Sequence, residues 1–171
     1  MRTAEIGFKV DDIIRYLCEV LSPQDNLEKP ILLHSIRVGM RLFDNDYAKE
    51  LVYAAFLHDV IEHGGISKID IATTYGTIVA ELVQANSKRF DIENKTKRDE
   101  ELILRCLSHS KEAVIIRAAD ILDNLTYYQL VRNDEKIRSL IHKANFLHDN
   151  TKEFYDDKII RMLNTRISAM H

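Results

Sequence analysis

The sequence predicts an all-α protein, a single-domain bundle of roughly eight or nine helices. Three observations carry that expectation. Apolar residues recur at steps of three and four along most of the chain, β-type alternation is hard to find, and only 5 Gly and 2 Pro punctuate 171 residues. The length suits one domain with a sizeable core, and no repeat or linker divides it, so residues 1–171 are read as one domain.

Ile6, Val10, Ile13, Leu17 and Leu21 form a helical stripe that Ser22-Pro23 should end. Pro30 suits the first turn of a second helix, with Ile31, Val38 and Leu42 on one face. A third helix is expected from about Asp46 to His63, stopped by Gly64-Gly65. Ser67 can cap a short helix ending near Tyr75-Gly76, and Ile78, Val79, Leu82 and Val83 carry the next. The polar run KRFDIENKTKR, Lys88–Arg98, reads as a loop, and Glu101–Leu107 as helix. Ser110 caps a long helix to about Val131, with Val114, Ala118, Ile121, Leu122 and Leu125 inward. Asn133 caps another, with Ile137, Leu140, Ile141 and Ala144 on one side, and a last helix should start near Thr151.

Composition narrows the function. Apolar residues at 46% and charged residues at 30% describe an ordinary globular chain. A net charge of -3 gives no general attraction to long nucleic acid or anionic membrane. No apolar run approaches the roughly 20 residues of a membrane helix. MRTAEIGFKVDD lacks the order of a secretion signal, so a cytoplasmic location is the default expectation. Cys18 and Cys106 show no metal-type spacing and are expected as small core residues, not a disulfide.

Against this background His34, His58, Asp59 and Asp120 stand within apolar segments, with Glu62 and His63 just beyond the second and third of them. In AAFLHDVIEH, Ala54–His63, the neighbours His58 and Asp59 can lean toward one point, Glu62 follows His58 by four, and His63 follows Asp59 by four. His34 shares the face of Ile31 and Val38. Asp120 is surrounded by Ile115, Ile116, Ala118, Ala119, Ile121 and Leu122, and a buried carboxylate calls for a cation. Two imidazoles and two carboxylates on three helices form a thiol-free N/O set suited to Mn²⁺, Fe²⁺, Mg²⁺ or Zn²⁺ with coordination positions left open. FLHD recurs at Phe146–Asp149, where Asp149 or Asn150 is expected to cap the last helix, with His148 on the preceding stripe.

The order His34, His58-Asp59, Asp120 resembles the HD-domain metal-dependent phosphohydrolases, and within them the hydrolase domain of RelA/SpoT-type alarmone enzymes and their small stand-alone relatives. LLHSIRVGMRL looks like that family's first-His helix. AAFLHDVIEH resembles its HDxxED segment, YGTIVAELVQANSK its FG-x-x-VA-x-LV-x-x-VTK run, and VIIRAADILDN its LIKLADRLHN. The resemblance covers about Pro30 to Leu130. It implies one Mn²⁺ held by His34, His58, Asp59 and Asp120, and hydrolysis of the 3′-pyrophosphate of guanosine tetra- or pentaphosphate. It further implies Glu62 and His63 as the acid–base residues, and Asn124, Arg37 and Arg117 as contacts to sugar or phosphate.

The chain departs from the pattern in three places. His63 stands for the family's Asp, which substitutes an imidazole able to exchange a proton nearer neutrality or to ligate a second metal. Asp123 stands where His or Tyr is usual. SPQDNLEKPILLH, before and including His34, lacks the basic, Gly-containing loop that helps hold guanine. The expected partner is therefore a small phosphorylated nucleotide. A nucleoside monophosphate phosphatase and a non-catalytic nucleotide-binding module are the rival readings, beside a purely structural helical protein. With no second domain expected in this length, any alarmone activity would be degradative.

Overall fold

A computed structural model describes residues 2–21, 28–151 and 156–170. All ten regular segments among the described residues are α-helices, in accord with the expected all-α class. The chain divides into two compact units, Met1–Ser87 and Lys88–His171.

The first unit holds α1 (Arg2–Val20), α2 (Ile31–Phe43), α3 (Lys49–Leu57), α4 (Val60–His63), α5 (Lys68–Tyr75) and α6 (Thr77–Asn86). The α1 stripe is buried throughout, with Ile13 and Leu17 fully so, and each such side chain contributes about 1.5–3 kcal/mol on leaving water. The Ser22-Pro23 stop lies outside the described residues. Pro30 precedes α2 as its N-cap residue, and Ile31, Val38 and Leu42 are buried. Helix α2 lies very close to α3 because Gly39 offers no side chain to the buried ring of Phe56. The third predicted helix begins later than expected and is split. Asp46 sits at φ 59 in the turn before α3, and the helix breaks at His58-Asp59 before one more turn, α4. The break is local chemistry, because Asp59 takes φ -100 and ψ -4 and the His58 ring turns back onto the carbonyl of Ala55.

Ser67 caps α5 through a reciprocal box with Asp70. Gly76 joins α5 directly to α6 at φ 96, ψ 158, backbone angles open in practice only to glycine. Ile78 was expected on the inner face of α6 but is exposed, since that face is formed by Val79, Leu82, Val83 and Asn86.

The second unit holds α7 (Lys95–His109), α8 (Lys111–Leu130), α9 (Asp134–Thr151) and α10 (Lys158–Ser168). The loop expected to Arg98 is shorter, because the Asn94 side chain accepts from the Lys97 N–H and starts α7 there. Ser110 caps α8 as expected, and α8 packs against the other three helices of its unit. Asn133 accepts from the Lys136 N–H at the start of α9. The second FLHD does not stop a helix. Helix α9 runs on through Thr151, with Asn150 donating to the Phe146 carbonyl and Thr151 to that of Leu147, so these polar groups are satisfied inside the helix. Its buried stripe is Leu140, Ala144, Leu147 and Thr151, which leaves His148 exposed, and Asp157 caps α10. Two neighbouring polar rungs join α7 to α9, Asp99 to Lys143 at 2.9 Å and Glu100 to His142 at 3.1 Å. Cys106 is buried as expected, whereas Cys18 is exposed on the outer face of α1, one step past the Leu17 stripe.

Candidate metal centre

In the first unit, α2 and the break after α3 bring two imidazoles and a carboxylate together. His34 is fully buried on the α2 stripe, and His58 and Asp59 are buried at the break. His34 Nε2 lies 3.3 Å from His58 Nε2 and 3.6 Å from Asp59 Oδ2, and His58 Nε2 lies 3.4 Å from the same oxygen. The rings meet edge to face, with centroids 5.2 Å apart.

The His58 tautomer is set by its other nitrogen. Nδ1 lies 2.8 Å from the Ala55 carbonyl oxygen, which can only accept, so Nδ1 carries a proton and Nε2, the nitrogen available for ligation, faces His34. This is how a ligating histidine is held in orientation. The donor set also has the right size. Donors about 2.0–2.2 Å from one cation in tetrahedral directions lie about 3.4 Å apart, and the three measured separations cluster there. The residues present fit a divalent cation.

A second group shares Asp59. Asp59, Glu62 and His63 each direct one possible ligand atom into a space where these atoms lie within 4.8 Å of one another. The Glu62 side chain is buried, and His63 Nε2 is 3.9 Å from Glu62 Oε2. Of the two i, i+4 pairs read from the sequence, Asp59–His63 lies within this group, and Glu62 falls between them. Arg37 sits half-buried on α2, three residues after His34.

In the second unit, Asp120 is buried on α8 with both oxygens engaged. Arg117 Nη1 donates to Oδ2 at 2.8 Å and Asn124 Nδ2 to Oδ1 at 2.8 Å. The sequence pointed to a cation for this carboxylate, and within the unit the guanidinium of Arg117 is one. Arg117, Asn124 and Asp123 are themselves buried, so none stands on a solvated helix face. The sequence did not single out Lys143. Burial pushes its ammonium below the ordinary lysine range, against the pull of Asp99 and, more weakly, of Asp120. The readable sign was Asp99, which shares the apolar stripe of Leu102, Ile103 and Cys106 and so needs a cation.

The chain belongs to the HD domain family, whose model matches residues 14–145. That sets it in a superfamily of metal-dependent phosphohydrolases, and the resemblance to the RelA/SpoT-type hydrolase domain holds among its relatives. A probable guanosine-3′,5′-bis(diphosphate) 3′-pyrophosphohydrolase of Mycoplasma pneumoniae is 25% identical over 138 residues, which is 74% of this chain and 18% of that protein. The guanosine-3′,5′-bis(diphosphate) 3′-pyrophosphohydrolase of Vibrio cholerae is 27% identical over 64% of this chain and 16% of its own length. The match with the bifunctional (p)ppGpp synthase/hydrolase SpoT of Escherichia coli K12 is 26%, over 64% of this chain and 16% of that protein. The chain thus matches less than a fifth of these relatives' length. Among solved structures, a metazoan ortholog of SpoT that hydrolyses ppGpp superposes with a TM-score of 0.78 at 24% identity, covering 95% of this chain and 94% of the other. A Listeria monocytogenes EGD-e protein gives 0.70 at 19% identity, covering 84% and 99%. At these identities the structural likeness shows the fold alone.

Proposed function

We propose that the chain is a divalent-metal-dependent phosphohydrolase of a small nucleotide, with guanosine 3′,5′-bis(diphosphate) as the first candidate and the 3′-pyrophosphate as the group removed. The observation that carries this reading is the trio of His34, His58 and Asp59, with donor atoms 3.3–3.6 Å apart. Asp120 is the fourth ligand on the family resemblance, and Mn²⁺ is the proposed cation, a choice consistent with mixed N/O donors. Such a cation supplies Lewis acidity toward a phosphoryl oxygen and the attacking water.

The chain's own groups do the rest. The Nδ1 proton of His58 on Ala55 keeps the ring in its ligating orientation. Arg117 and Asn124 hold the two oxygens of Asp120, and both are proposed to reach sugar or phosphate as well, together with Arg37. The Glu62 carboxylate, buried beside Asp59, orients the water and takes its proton, and Nε2 of His63 passes a proton on. The names of the curated relatives support the choice of substrate. A cytoplasmic setting, with neither membrane nor long nucleic acid as partner, is part of the same proposal.

One feature favours a second reading. SPQDNLEKP before the His34 helix carries a single basic residue, Lys29, which weakens the case for a guanine-holding loop and favours a nucleoside monophosphate phosphatase. Product analysis separates the two. The chain with Mn²⁺ should release pyrophosphate from guanosine tetraphosphate, and Asp59→Ala should not. Orthophosphate from monophosphates would move the chain to the second reading. Tight nucleotide binding without turnover in any divalent metal would make it a binding module.

A further inference from the structure

Glu62 and His63 are arranged for more than proton transfer. His63 Nε2 and Glu62 Oε2 stand 3.9 Å apart, too far for a hydrogen bond between them, yet within the span of about 4.2 Å that two donors on opposite sides of one cation reach. Asp59 completes the set at i, i+3, i+4, with all three ligand atoms within 4.8 Å of one another. The family's Asp at position 63 would offer a carboxylate, whereas this chain offers an imidazole, the commonest protein ligand for transition metals.

From this convergence we infer that Asp59, Glu62 and His63 form a second divalent-cation site, sharing Asp59 with the His34–His58 site. The inference rests on the proposed metal-dependent function and deepens it. A carboxylate has two oxygens, and Oδ2 of Asp59 already faces both histidines of the first set, so one residue can serve two cations. A second cation held there would add positive charge beside the phosphoryl group and so stabilise the oxygens on which charge develops. The chemistry of the second site, one nitrogen with carboxylate oxygens, suits a first-row transition ion such as Mn²⁺, Co²⁺ or Zn²⁺ over Ca²⁺. His63 Nε2 has a single lone pair. When the second cation is bound, that pair goes to the metal, and charge stabilisation replaces proton transfer at this residue.

The test is metal binding, independent of turnover. The metal-free chain is titrated with Co²⁺, with bound metal counted by equilibrium dialysis and the ligand field followed by visible absorption. The wild type should take up two equivalents. His63→Ala should retain one, and His58→Ala should lose the first site while keeping a signal from the second. Circular dichroism of each variant checks that it is folded. With Mn²⁺, the wild type should show the spin-coupled resonance of a pair, absent in His63→Ala. A wild type saturating at one equivalent that His58→Ala abolishes would overturn the second site and leave the first standing. Two equivalents in His63→Ala would also overturn it. No Co²⁺ uptake in the wild type would remove both sites together.

Discussion

Replacing Gly39 by alanine tests how tightly the helices that carry His34 and His58 are pressed together. A Cβ built at Gly39 would stand 2.2, 2.3 and 2.4 Å from Cγ, Cδ2 and Cδ1 of Phe56. Carbon atoms in contact rest about 3.5–4.0 Å apart, so the overlap exceeds about 1 Å. It also falls on the root of the ring, not its tip, and Phe56 is fully buried, so the ring has no room to swing aside. Alanine would return about 1 kcal/mol of helix propensity. Overpacking of a filled core costs about 1–3 kcal/mol, and an overlap this deep belongs at the upper end. The net is a loss of about 1–2 kcal/mol, and at about 2–4 °C per kcal/mol for a chain of this size Tm should fall by about 2–8 °C. Because Phe56 lies two residues before His58, separating the helices should also weaken Co²⁺ uptake. Thermal melts of Gly39→Ala, Phe56→Leu and the double variant decide the matter. The double variant should be more stable than the sum of the two losses implies, since the leucine makes room for the new methyl. A single variant melting at or above wild type would mean that propensity wins and that the close approach is not a constraint.

Two further outcomes concern Arg117 and Tyr75. Arg117→Met leaves Asp120 buried without its guanidinium and should cost about 3–5 kcal/mol in urea unfolding of the metal-free chain, and Arg117→Met with Asp120→Leu should recover much of it. A loss below about 1 kcal/mol would show that the pair is not what stabilises this carboxylate. Burial, reinforced by Tyr16 and Asp12, pushes the Tyr75 hydroxyl from its ordinary 10.0 up to about 12. The folded chain therefore keeps this proton after the unfolded chain has lost it, so stability falls as pH rises from 10.0 to about 12. Tyr75→Phe should flatten that part of the Tm–pH curve and remove the latest-titrating component of tyrosinate absorbance. An unchanged late component would assign it to another tyrosine.

The helices were legible wherever one face had to be buried and a polar residue marked the start. Ile6, Val10, Ile13, Leu17 and Leu21 gave α1, and Ser67, Ser110 and Asn133 each cap the helix expected of them. Errors arose where a polar residue had two uses. Asn94 starts a helix inside a run that looked like loop, because the first turns of α7 face solvent and need no apolar stripe. Asn150 and Thr151 looked like a stop but bond back to their own helix. At the candidate centre, the gathering of His34, His58 and Asp59 could be read from spacing, since each stands where an apolar residue was due. The break between α3 and α4 could not, because it depends on a side chain taking up a carbonyl, which leaves no mark on periodicity. Nor could the pairing of Lys143 with Asp99, whose partners are far apart in sequence.

The two rungs between α7 and α9 act as a vernier. Asp99 and Glu100 are consecutive, as are His142 and Lys143, so a slide of α9 by one residue, about 1.5 Å, misaligns both pairs at once. A ladder of apolar contacts would yield gradually to such a slide, trading one methyl for the next. The aspartate of the inner rung cannot be traded, since Asp99 without Lys143 would be a buried charge. Their contribution lies less in adding strength than in permitting a single register of α9 against α7.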